Sequence, residues 1–318
     1  MAKTNLMSIA KQIRSEGDAY RYMESLRWPD GPVCPHCGST AKHYFLTPKS
    51  GTGARKTRTG SVTERRVWKC KACRKQFSVI TGTIFHGTKV PLHTWLMVVF
   101  EMCANKNGIA AREIERKYGV APKTAWFMTM RLREAMTNLA PEALLEGIVV
   151  ADETWIGGTP KNRHGYKKGT GGQGRTTKTR VFTLVDASTG EARSRSIPNI
   201  TGMTLRSVIA EECAIERTVL HTDQATGYLK FRHELAGHEY VDHHQGEYVR
   251  NGVSTNKAEN FFSQLKRSID GTHHHVSRAH LDRYLTEFDF RYSSKHLTDA
   301  ERMILLMGRV AGRRLRFH

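Results

Sequence analysis

The sequence has 318 residues, of which 50 are Lys or Arg and 30 are Asp or Glu, so its formal net charge at pH 7 is +20. Hydrophobic residues make up 39% and charged residues 25%, a balance that excludes an intrinsically disordered tail and a membrane-embedded chain. The positive charge favours polyanionic partners, with nucleic acid first and an anionic membrane surface second. The length predicts about two domains.

The N-terminal segment, residues 1–31, is predicted to be helical and amphipathic and to end at a turn, Trp28 to Gly31. Charges are scattered through it, and it lacks the apolar core of a secretory signal. The longest apolar run, residues 95–104, is interrupted by Glu101 and is too short to span a bilayer. We therefore expect a cytoplasmic protein with no membrane partner.

Residues 32–88 are predicted to form a zinc ribbon. They contain two C-x-x-C pairs that are separated by 32 residues and supply four thiols: Cys34, Cys37, Cys70 and Cys73. Each pair places two sulfur atoms on one tight turn, so four thiolates can surround a structural Zn²⁺. The alternative, a redox-active C-x-x-C, needs one pair in a thioredoxin-like unit, which the sequence lacks. Cys103 and Cys213 are expected to be small buried residues on apolar helical faces.

Residues 89–140 are predicted to be a helical DNA-binding domain with a helix-turn-helix. A first helix would run from Ile109 to Lys117, and Pro122 suits the first turn of a second helix. The outer face of the second helix suits a DNA major groove and carries Lys123, Thr124, Phe127 and Arg131. An ordinary helical hairpin is the alternative. The short turn, the basic face and the neighbouring ribbon favour DNA binding.

Two basic segments rich in Gly and Thr interrupt these elements, at residues 48–69 and 159–180. The first carries seven basic residues against the single acid Glu64, and the second carries seven with no acid. Neither can bury enough apolar surface to fold alone, so both are either solvated loops or arms that order on a phosphate backbone. The absence of acids favours the second role. The expected DNA-contact residues are Arg55, Lys56, Arg58, Lys167, Lys168 and Arg175.

Residues 141–300 show a mixed α/β pattern that carries three spaced acids. Asp152 lies in a strand-like run, Asp223 ends another, and Glu259 follows on a helical pattern after 35 residues. Two acids at the ends of neighbouring strands and a third on a helix can converge on a pair of Mg²⁺ ions for phosphodiester chemistry. A surface carboxylate is the commoner role for any one acid. The apolar strand around Asp152 makes an unpaired charge there costly, however.

The helical pattern around Glu259 has two distinct faces. One face carries Asn256, Glu259, Ser263 and Lys266, and the other carries Phe261, Leu265 and Ile269. Glu259 would therefore face a site, with Lys266 available to hold a phosphate. Glu153 points to the opposite face of the strand from Asp152 and is set aside. Other acids are held in reserve: Asp186, Asp242 and Asp289.

These motifs resemble an insertion-sequence DDE transposase of the group with an N-terminal zinc ribbon and helix-turn-helix. The resemblance covers nearly the whole chain and rests on CPHCGS, WKCKACRKQFSVITGTIFH, VADETWIGG, HTDQATGY and NKAENFFSQLKRSIDGTHHHVS. It implies an RNase H-like catalytic domain, with a mixed sheet flanked by helices. It also implies metal-dependent cleavage at terminal inverted repeats of double-stranded DNA and transfer of the 3′-hydroxyl ends into target DNA.

The resemblance assigns roles to individual residues. Asp152 and Asp223 match the first two catalytic acids and Glu259 the third, all binding Mg²⁺ or Mn²⁺, and Lys266 matches a basic residue after them. Asn256 is the alternative third ligand, although charge favours Glu259. The resemblance further implies a homo-oligomer, at least a dimer, associated with the nucleoid. A DNA-binding regulator on a catalytically idle scaffold is the alternative function, and the presence of all three acids argues against it.

Two further features remain open in the sequence. Histidines cluster at residues 243–244 and 273–275, where loop positions near DNA phosphates and plain solvated loops are equally compatible with the pattern. The last segment, residues 301–318, is a basic tail that either grips phosphates or is frayed.

Overall fold

The computed structural model describes residues 5–47, 55–56, 62–137, 143–157, 178–223, 227–242, 245, 249–250, 252–313 and 315. The chain divides into two compact units, one comprising residues 1–136 and 297–318 and the other residues 137–296. In the described part of the chain, no helix has the length and apolar character needed to cross a membrane.

The N-terminal segment forms two helices, α1 (Leu6–Gln12) and α2 (Glu16–Arg27). The predicted single helical segment is interrupted because Ser15 adopts an extended conformation and caps α2 in a reciprocal pair with Asp18. Ile9 and Met23 are completely buried, so both helices contribute to the core of this unit.

The ribbon is built from very short strands. A three-stranded antiparallel sheet contains β1 (Tyr44–Phe45), β4 (Trp68–Lys69) and β5 (Gln76–Phe77), and β2 (Arg55–Lys56) pairs with β3 (Val62–Thr63) in a separate hairpin. Glu24 of α2 accepts hydrogen bonds from Arg66 Nε at 2.7 Å and Trp68 Nε1 at 2.9 Å. This partly buried contact joins the ribbon sheet to α2.

Three helices follow the ribbon: α3 (Leu92–Ala104), α4 (Ala111–Tyr118) and α5 (Pro122–Met136). α3 is apolar on nearly every face and packs against α1 and α2. α4 begins two residues later than predicted because Ala110 is extended, and it ends at Gly119, whose φ of 63° is left-handed. Pro122 opens α5 as predicted, and the inner side of the helix is buried at Ala125, Met128, Leu132 and Met136.

The second unit contains a five-stranded sheet in the order β10-β9-β6-β7-β8. Its strands are β6 (Leu145–Ile156), β7 (Thr179–Asp186), β8 (Ala192–Ile197), β9 (Cys213–Asp223) and β10 (Gly237–Val241). β6 pairs in parallel with β9 and antiparallel with β7. The sheet is therefore mixed, and helices flank it, so the predicted fold class is confirmed and is consistent with an RNase H-like domain.

Three helices cover the two faces of this sheet: α6 (Gly202–Glu212), α7 (Asn256–Ser268) and α8 (Leu281–Ser293). Because side chains alternate along a strand, successive residues of β6 enter different cores. Ala151 packs with Leu205 of α6, whereas Val150 packs in the core that contains Phe261 of α7. Short 3₁₀ turns occur at Tyr228–Lys230, Arg232–Glu234 and Arg278–His280, and a π-helical turn at Ile269–His273 extends α7.

One prediction for the cysteines is wrong. Cys213 is the first residue of β9 rather than part of a helical face, because α6 ends one residue earlier. It is nevertheless almost completely buried, as is Cys103 in α3. Both thiols therefore pack in apolar cores.

The edge strand β8 is covered by polar side chains of α8. The backbone N–H of Ser194 donates to Asp289 Oδ2 at 2.8 Å, and the Ser194 hydroxyl donates to Oδ1 at 2.7 Å. Two turns earlier on α8, the Asp282 carboxylate accepts bonds from the backbone N–H of Ser196 at 2.8 Å and from its hydroxyl at 2.9 Å. These bonds satisfy outward-facing donors that would otherwise be available to another strand. Asp289 is thus a structural acid.

The C-terminal segment belongs to the first unit. Its helix α9 (Asp299–Gly308) packs against α2 and α3. Beyond it, Ala311 forms an antiparallel bridge with Thr83, and Arg313 donates to the carbonyl of Glu134 at 2.5 Å. The basic tail predicted from residue 301 therefore includes most of a packed helix and a paired backbone segment within its described residues.

We predict that Asp289→Ala lowers the free energy of unfolding by about 2–4 kcal/mol, because two donors of Ser194 lose their acceptor in a buried site. Asp289→Asn should cost less, since an amide can still accept the N–H and can donate to the hydroxyl. Urea unfolding of the purified variants measures both effects. Equal losses for Ala and Asn would contradict the hydrogen-bonding role.

Stability should also depend on pH through this residue. Burial raises the pKa of the Asp289 carboxyl well above its usual value of 3.8. The folded state therefore retains a proton that the unfolded state releases, so its stabilising contribution is full below pH 3.8 and is lost as pH rises through the folded pKa. Asp289→Asn should remove this component from the pH profile. An unchanged profile would contradict it.

Candidate catalytic and zinc sites

The four cysteines of the ribbon form one compact cluster. Their sulfur atoms lie within 4.8 Å of one another, and the Sγ–Sγ distance is 3.7 Å for Cys34–Cys73 and for Cys37–Cys70. A zinc ion at about 2.3 Å from each sulfur would require tetrahedral edges of about 3.8 Å. The side chains therefore fit a Zn²⁺ ion with four thiolate ligands, and the predicted zinc ribbon is confirmed.

Local backbone geometry brings each cysteine pair together. In the first knuckle the N–H of Gly38 donates to the carbonyl of Cys34 at 2.9 Å, and in the second the N–H of Arg74 donates to the carbonyl of Cys70 at 3.1 Å. The residue after each pair adopts the left-handed conformation, with φ of 72° at Gly38 and 61° at Arg74. This tight turn directs both sulfur atoms of a knuckle to the same point.

The pairing of β6 with β9 brings the first two predicted catalytic acids together. Val150 lies opposite His221 in this parallel ladder. The ladder ends at this pair, and Asp152 and Asp223 each follow two residues later, at the same level along the two strands. Asp223 is also the last residue of β9, opposite Val241 of β10. Both carboxylates are half-buried; Asp152 lies within β6, opposite Thr183 of β7, whereas Asp223 ends β9.

Helix α7 brings the third acid to the same face as Asp152. Phe261 and Leu265 bury the inner side of the helix in the core that contains Val150, whose side chain is on the same face of β6 as that of Asp152. Glu259 lies in the first turn of α7, where the helix dipole favours a carboxylate. The hydroxyl of Thr255, a completely buried residue, donates to Glu259 Oε1 at 2.9 Å.

The electrostatics of Asp152 connect the three acids. Its carboxyl pKa is raised to about 7, first by burial and then by nearby negative charges, which belong to Asp223, Glu153 and Glu259. The backbone N–H of Glu153 donates to Asp152 Oδ1 at 2.7 Å and opposes the shift. A cluster of repelling acids of this kind gains stability from a bound cation.

The three carboxylates suit Mg²⁺, which keeps water ligands, better than they suit a metal that is coordinated only by protein atoms. Among the described residues, only the cysteine cluster has three or more candidate ligand atoms that all lie within 4.8 Å of one another. The carboxylate oxygens of the three acids are therefore more widely separated than the cysteine sulfurs. Mg²⁺ prefers oxygen ligands, binds through one or two carboxylates and keeps several waters. Asp152, Asp223 and Glu259 offer such oxygens around a space that substrate oxygens and water can complete.

The two faces predicted for α7 are confirmed. Asn256, Glu259, Ser263 and Lys266 are exposed, whereas Phe261, Leu265 and Ile269 are buried. Of the reserve acids, Asp186 accepts bonds from the Ser188 and Thr189 N–H groups of its own turn, and Asp289 holds the edge strand. Neither of these two belongs to the acid cluster.

Glu153, a half-buried acid beside the cluster, was not included among the predicted site residues. Glu153 does face away from Asp152, but there it accepts a short hydrogen bond from the hydroxyl of Tyr228, a completely buried residue. Burial raises the pKa of the Glu153 carboxyl to about 7. A signal was available, because alternation puts Glu153 on the same apolar face as Val149 and Ala151, where an acid needs a partner.

The predicted DNA-contact residues of α5 differ in their surroundings. Lys123 is exposed, whereas Thr124 and Phe127 are half-buried. The Arg131 guanidinium lies 4.4 Å from the centre of the Phe127 ring and donates to the carbonyl of Ile84 at 2.8 Å. Arg131 therefore also stabilises the contact between α5 and the segment after the ribbon.

The predicted contact residues of the two basic segments fall only partly within the described part of the chain. Arg55 and Lys56 form strand β2. The other predicted contact residues lie outside the described residues: Arg58, Lys167, Lys168 and Arg175. Two of the clustered histidines, His243 and His244, also lie outside them.

Two segments of the chain are similar to known transposase domains. Residues 144–293 match an ISXO2-like transposase domain, and residues 14–76 match a transposase zinc-ribbon domain. The chain is also 29% identical over 290 residues to an uncharacterized protein in transposable element ISH50 of Halobacterium salinarum, a match that covers 88% of this chain and 92% of that protein. The first matched range contains all three clustered acids, and the second contains all four clustered cysteines.

We predict that Cys70→Ser lowers the zinc content of the purified protein from about one ion per chain, because a hydroxyl is a poor replacement for a thiolate ligand. Metal analysis and thermal unfolding measure the loss of zinc and the accompanying loss of stability. Cys103→Ala is the matched control, since its thiol is buried outside the cluster. Retention of zinc by Cys70→Ser, or equal zinc loss in the control, would contradict the assignment.

Proposed function

We propose that this chain is an insertion-sequence transposase that binds terminal inverted repeats, cleaves DNA and transfers the 3′-hydroxyl ends into target DNA, a proposal supported by its similarity to a transposase zinc-ribbon domain and an ISXO2-like transposase domain. The observation that supports the proposal most directly is that Asp223 of β9 and Glu259 of α7 both raise the pKa of the Asp152 carboxyl of β6. Their mutual electrostatic influence supports a shared site for Mg²⁺ or Mn²⁺.

Each acid has a role that follows from its position. Asp152 and Asp223 would hold the metal from adjacent strands, and Glu259 would complete the site from the first turn of α7. When bound, such ions activate a water or 3′-hydroxyl nucleophile and stabilise the leaving oxygen. Thr255 keeps the Glu259 carboxylate oriented by its 2.9 Å hydrogen bond.

Two further residues of α7 act beside the acids. Lys266 is exposed on the same side of the helix as Glu259, seven residues or about 10 Å further along, and would bind a DNA phosphate. Asn256 is the first residue of α7 and is an alternative oxygen ligand. An anionic oxygen binds Mg²⁺ better than an amide, so we assign the third metal ligand to Glu259.

DNA recognition would come from the first unit and the basic segments. The exposed Lys123 at the start of α5 is suited to phosphate or base contacts. Because transposition needs two DNA ends held together, the active species would be a homo-oligomer, at least a dimer, associated with the nucleoid.

We predict that Asp152→Ala, Asp223→Ala and Glu259→Gln each reduce Mg²⁺-dependent nicking of end-containing DNA by at least about 100-fold while DNA binding is retained. Gel assays of nicking and of joining to a second DNA measure both steps. Glu216→Gln, an exposed acid near the start of β9, should cleave like the wild type. Asn256→Ala tests the alternative ligand and should be less damaging than Glu259→Gln.

Three outcomes of this assay would contradict the proposal in different ways. Normal cleavage by Asp152→Ala would reject the site. Sequence-specific binding by the wild type without nicking under Mg²⁺ or Mn²⁺ would favour the DNA-binding regulator. Cleavage without joining to target DNA would favour a simple nuclease.

We predict that DNA affinity falls steeply with salt, by roughly 10³-fold or more from low to physiological ionic strength, because phosphate contacts release counterions. Lys123→Gln should reduce the slope of log affinity against log salt by about one. Arg131→Gln is a useful comparison, since it should also lower stability by removing the bond to Ile84. A flat salt dependence in the wild type would contradict the role of the basic residues.

A further inference from the structure

A hydrogen bond connects β6, which carries the first acid, to the 3₁₀ turn that follows β9, which carries the second. Glu153 is adjacent to Asp152 in β6, and Tyr228 follows Asp223 by five residues. The Tyr228 hydroxyl donates to Glu153 Oε1, and Tyr228 is completely buried. This bond therefore joins β6, next to the first acid, to the chain that continues from the second.

The same tyrosine belongs to a polar network that returns to Asp223. Its ring packs against the His238 ring of β10, with 5.9 Å between the ring centres. His238 Nε2 lies 2.9 Å from Oγ1 of Thr222, a completely buried residue, and this hydroxyl donates to the carbonyl of Asp223 at 2.6 Å. Since the hydroxyl has a single hydrogen, His238 is the donor in the first of these bonds.

The network lies behind the catalytic face. Glu153 shares its side of β6 with Val149 and Ala151, whereas Asp152 faces the side covered by α7. Glu153 therefore does not share the face from which Glu259 approaches, and its hydrogen bond to Tyr228 holds it on the opposite side of the sheet. Its effect on the acids would pass through the backbone of β6 and, from Tyr228, through His238 and the Thr222 hydroxyl to the carbonyl of Asp223.

We propose that Glu153 and Tyr228 are positioning residues that fix the separation and orientation of the Asp152 and Asp223 carboxylates for metal binding. The inference rests on the proposed function. Two carboxylates on adjacent strands repel each other, and the ladder between β6 and β9 ends at Val150 and His221, two residues before the acids, so it supplies no direct restraint on their separation. The Glu153–Tyr228 bond supplies that restraint from the far side of the sheet.

A purely structural pair would behave differently from a positioning pair. An internal polar pair that serves only stability can be replaced with little effect on a ligand site, whereas partners that orient metal ligands typically change metal affinity by about 10- to 100-fold when removed. Metal affinity measured without DNA therefore separates the two roles, and it does not depend on catalytic activity.

The test uses Mn²⁺ binding to the full-length protein by titration calorimetry and by electron paramagnetic resonance of the unbound ion. Asp152→Ala first identifies the binding that belongs to the acid cluster. Tyr228→Phe, which removes only a hydroxyl, should weaken that binding about tenfold. Tyr118→Phe is the matched control, because its hydroxyl also donates to a buried carboxylate, Glu101 Oε1, at 2.7 Å in the other unit. It should leave Mn²⁺ affinity unchanged.

Variants of Glu153 provide a second, independent readout. Glu153→Gln retains an acceptor for the Tyr228 hydroxyl and should bind Mn²⁺ more tightly than Glu153→Ala. Combining Glu153→Ala with Tyr228→Phe should weaken binding by less than the product of the two single effects, because both remove one bond. If Tyr228→Phe does not fold, the comparison of Gln with Ala decides the question.

The possible failures are distinguishable. Unchanged Mn²⁺ affinity in folded Tyr228→Phe, or equal affinities of the Gln and Ala variants, would overturn the positioning role while leaving the proposed function intact. Absence of Asp152-dependent Mn²⁺ binding in the wild type would contradict the metal site itself, and the inference would fall with it.

Discussion

The parallel pairing of β6 with β9 is the constraint on which the candidate site depends. The register that sets Val150 opposite His221 also brings Asp152 level with Asp223. A shift by one residue would send one of the two side chains to the opposite face of the sheet, because alternation has a period of two. The apolar residues on both faces of β6 hold the register, since any slip would expose them and bury polar ones.

This arrangement gathers like charges, so the fold must hold acids that repel one another. α7 contributes Glu259 through an amphipathic helix whose buried side packs on the sheet, and Thr255 orients the carboxylate. The raised pKa of Asp152 reflects burial and the neighbouring charges. A bound divalent cation would relieve this repulsion between the carboxylates, so the stability of the site would depend on metal binding.

Local patterns in the sequence predicted much of this architecture. Cysteine spacing identified the ribbon, strand-like runs located β6 and β9, and helical periodicity gave the correct faces of α7. These features depend on residues close in sequence, where side-chain period and turn geometry act directly. The family resemblance then assigned the three acids, which spacing by itself could only suggest.

The features that the sequence missed depend on contacts between distant segments. The bridge between Thr83 and Ala311, the bonds from Asp289 to Ser194 and the bond from Tyr228 to Glu153 all join residues far apart in the chain. A lone acid gives no indication of which distant donor it will meet. For Glu153, strand alternation correctly predicted the face of β6 on which the side chain lies. It could not predict that the Tyr228 hydroxyl would donate a hydrogen bond to the carboxylate there.

The central claim is that Asp152, Asp223 and Glu259 form one divalent metal site. Anomalous X-ray scattering from crystals of the protein soaked in Mn²⁺ tests it most directly, since the ion is located without reference to activity. The account predicts an anomalous peak within coordination distance of Asp152 and Asp223 on the side facing Glu259, and its disappearance in Asp152→Ala crystals. Mn²⁺ bound only elsewhere, or a peak that persists without the Asp152 carboxylate, would contradict it.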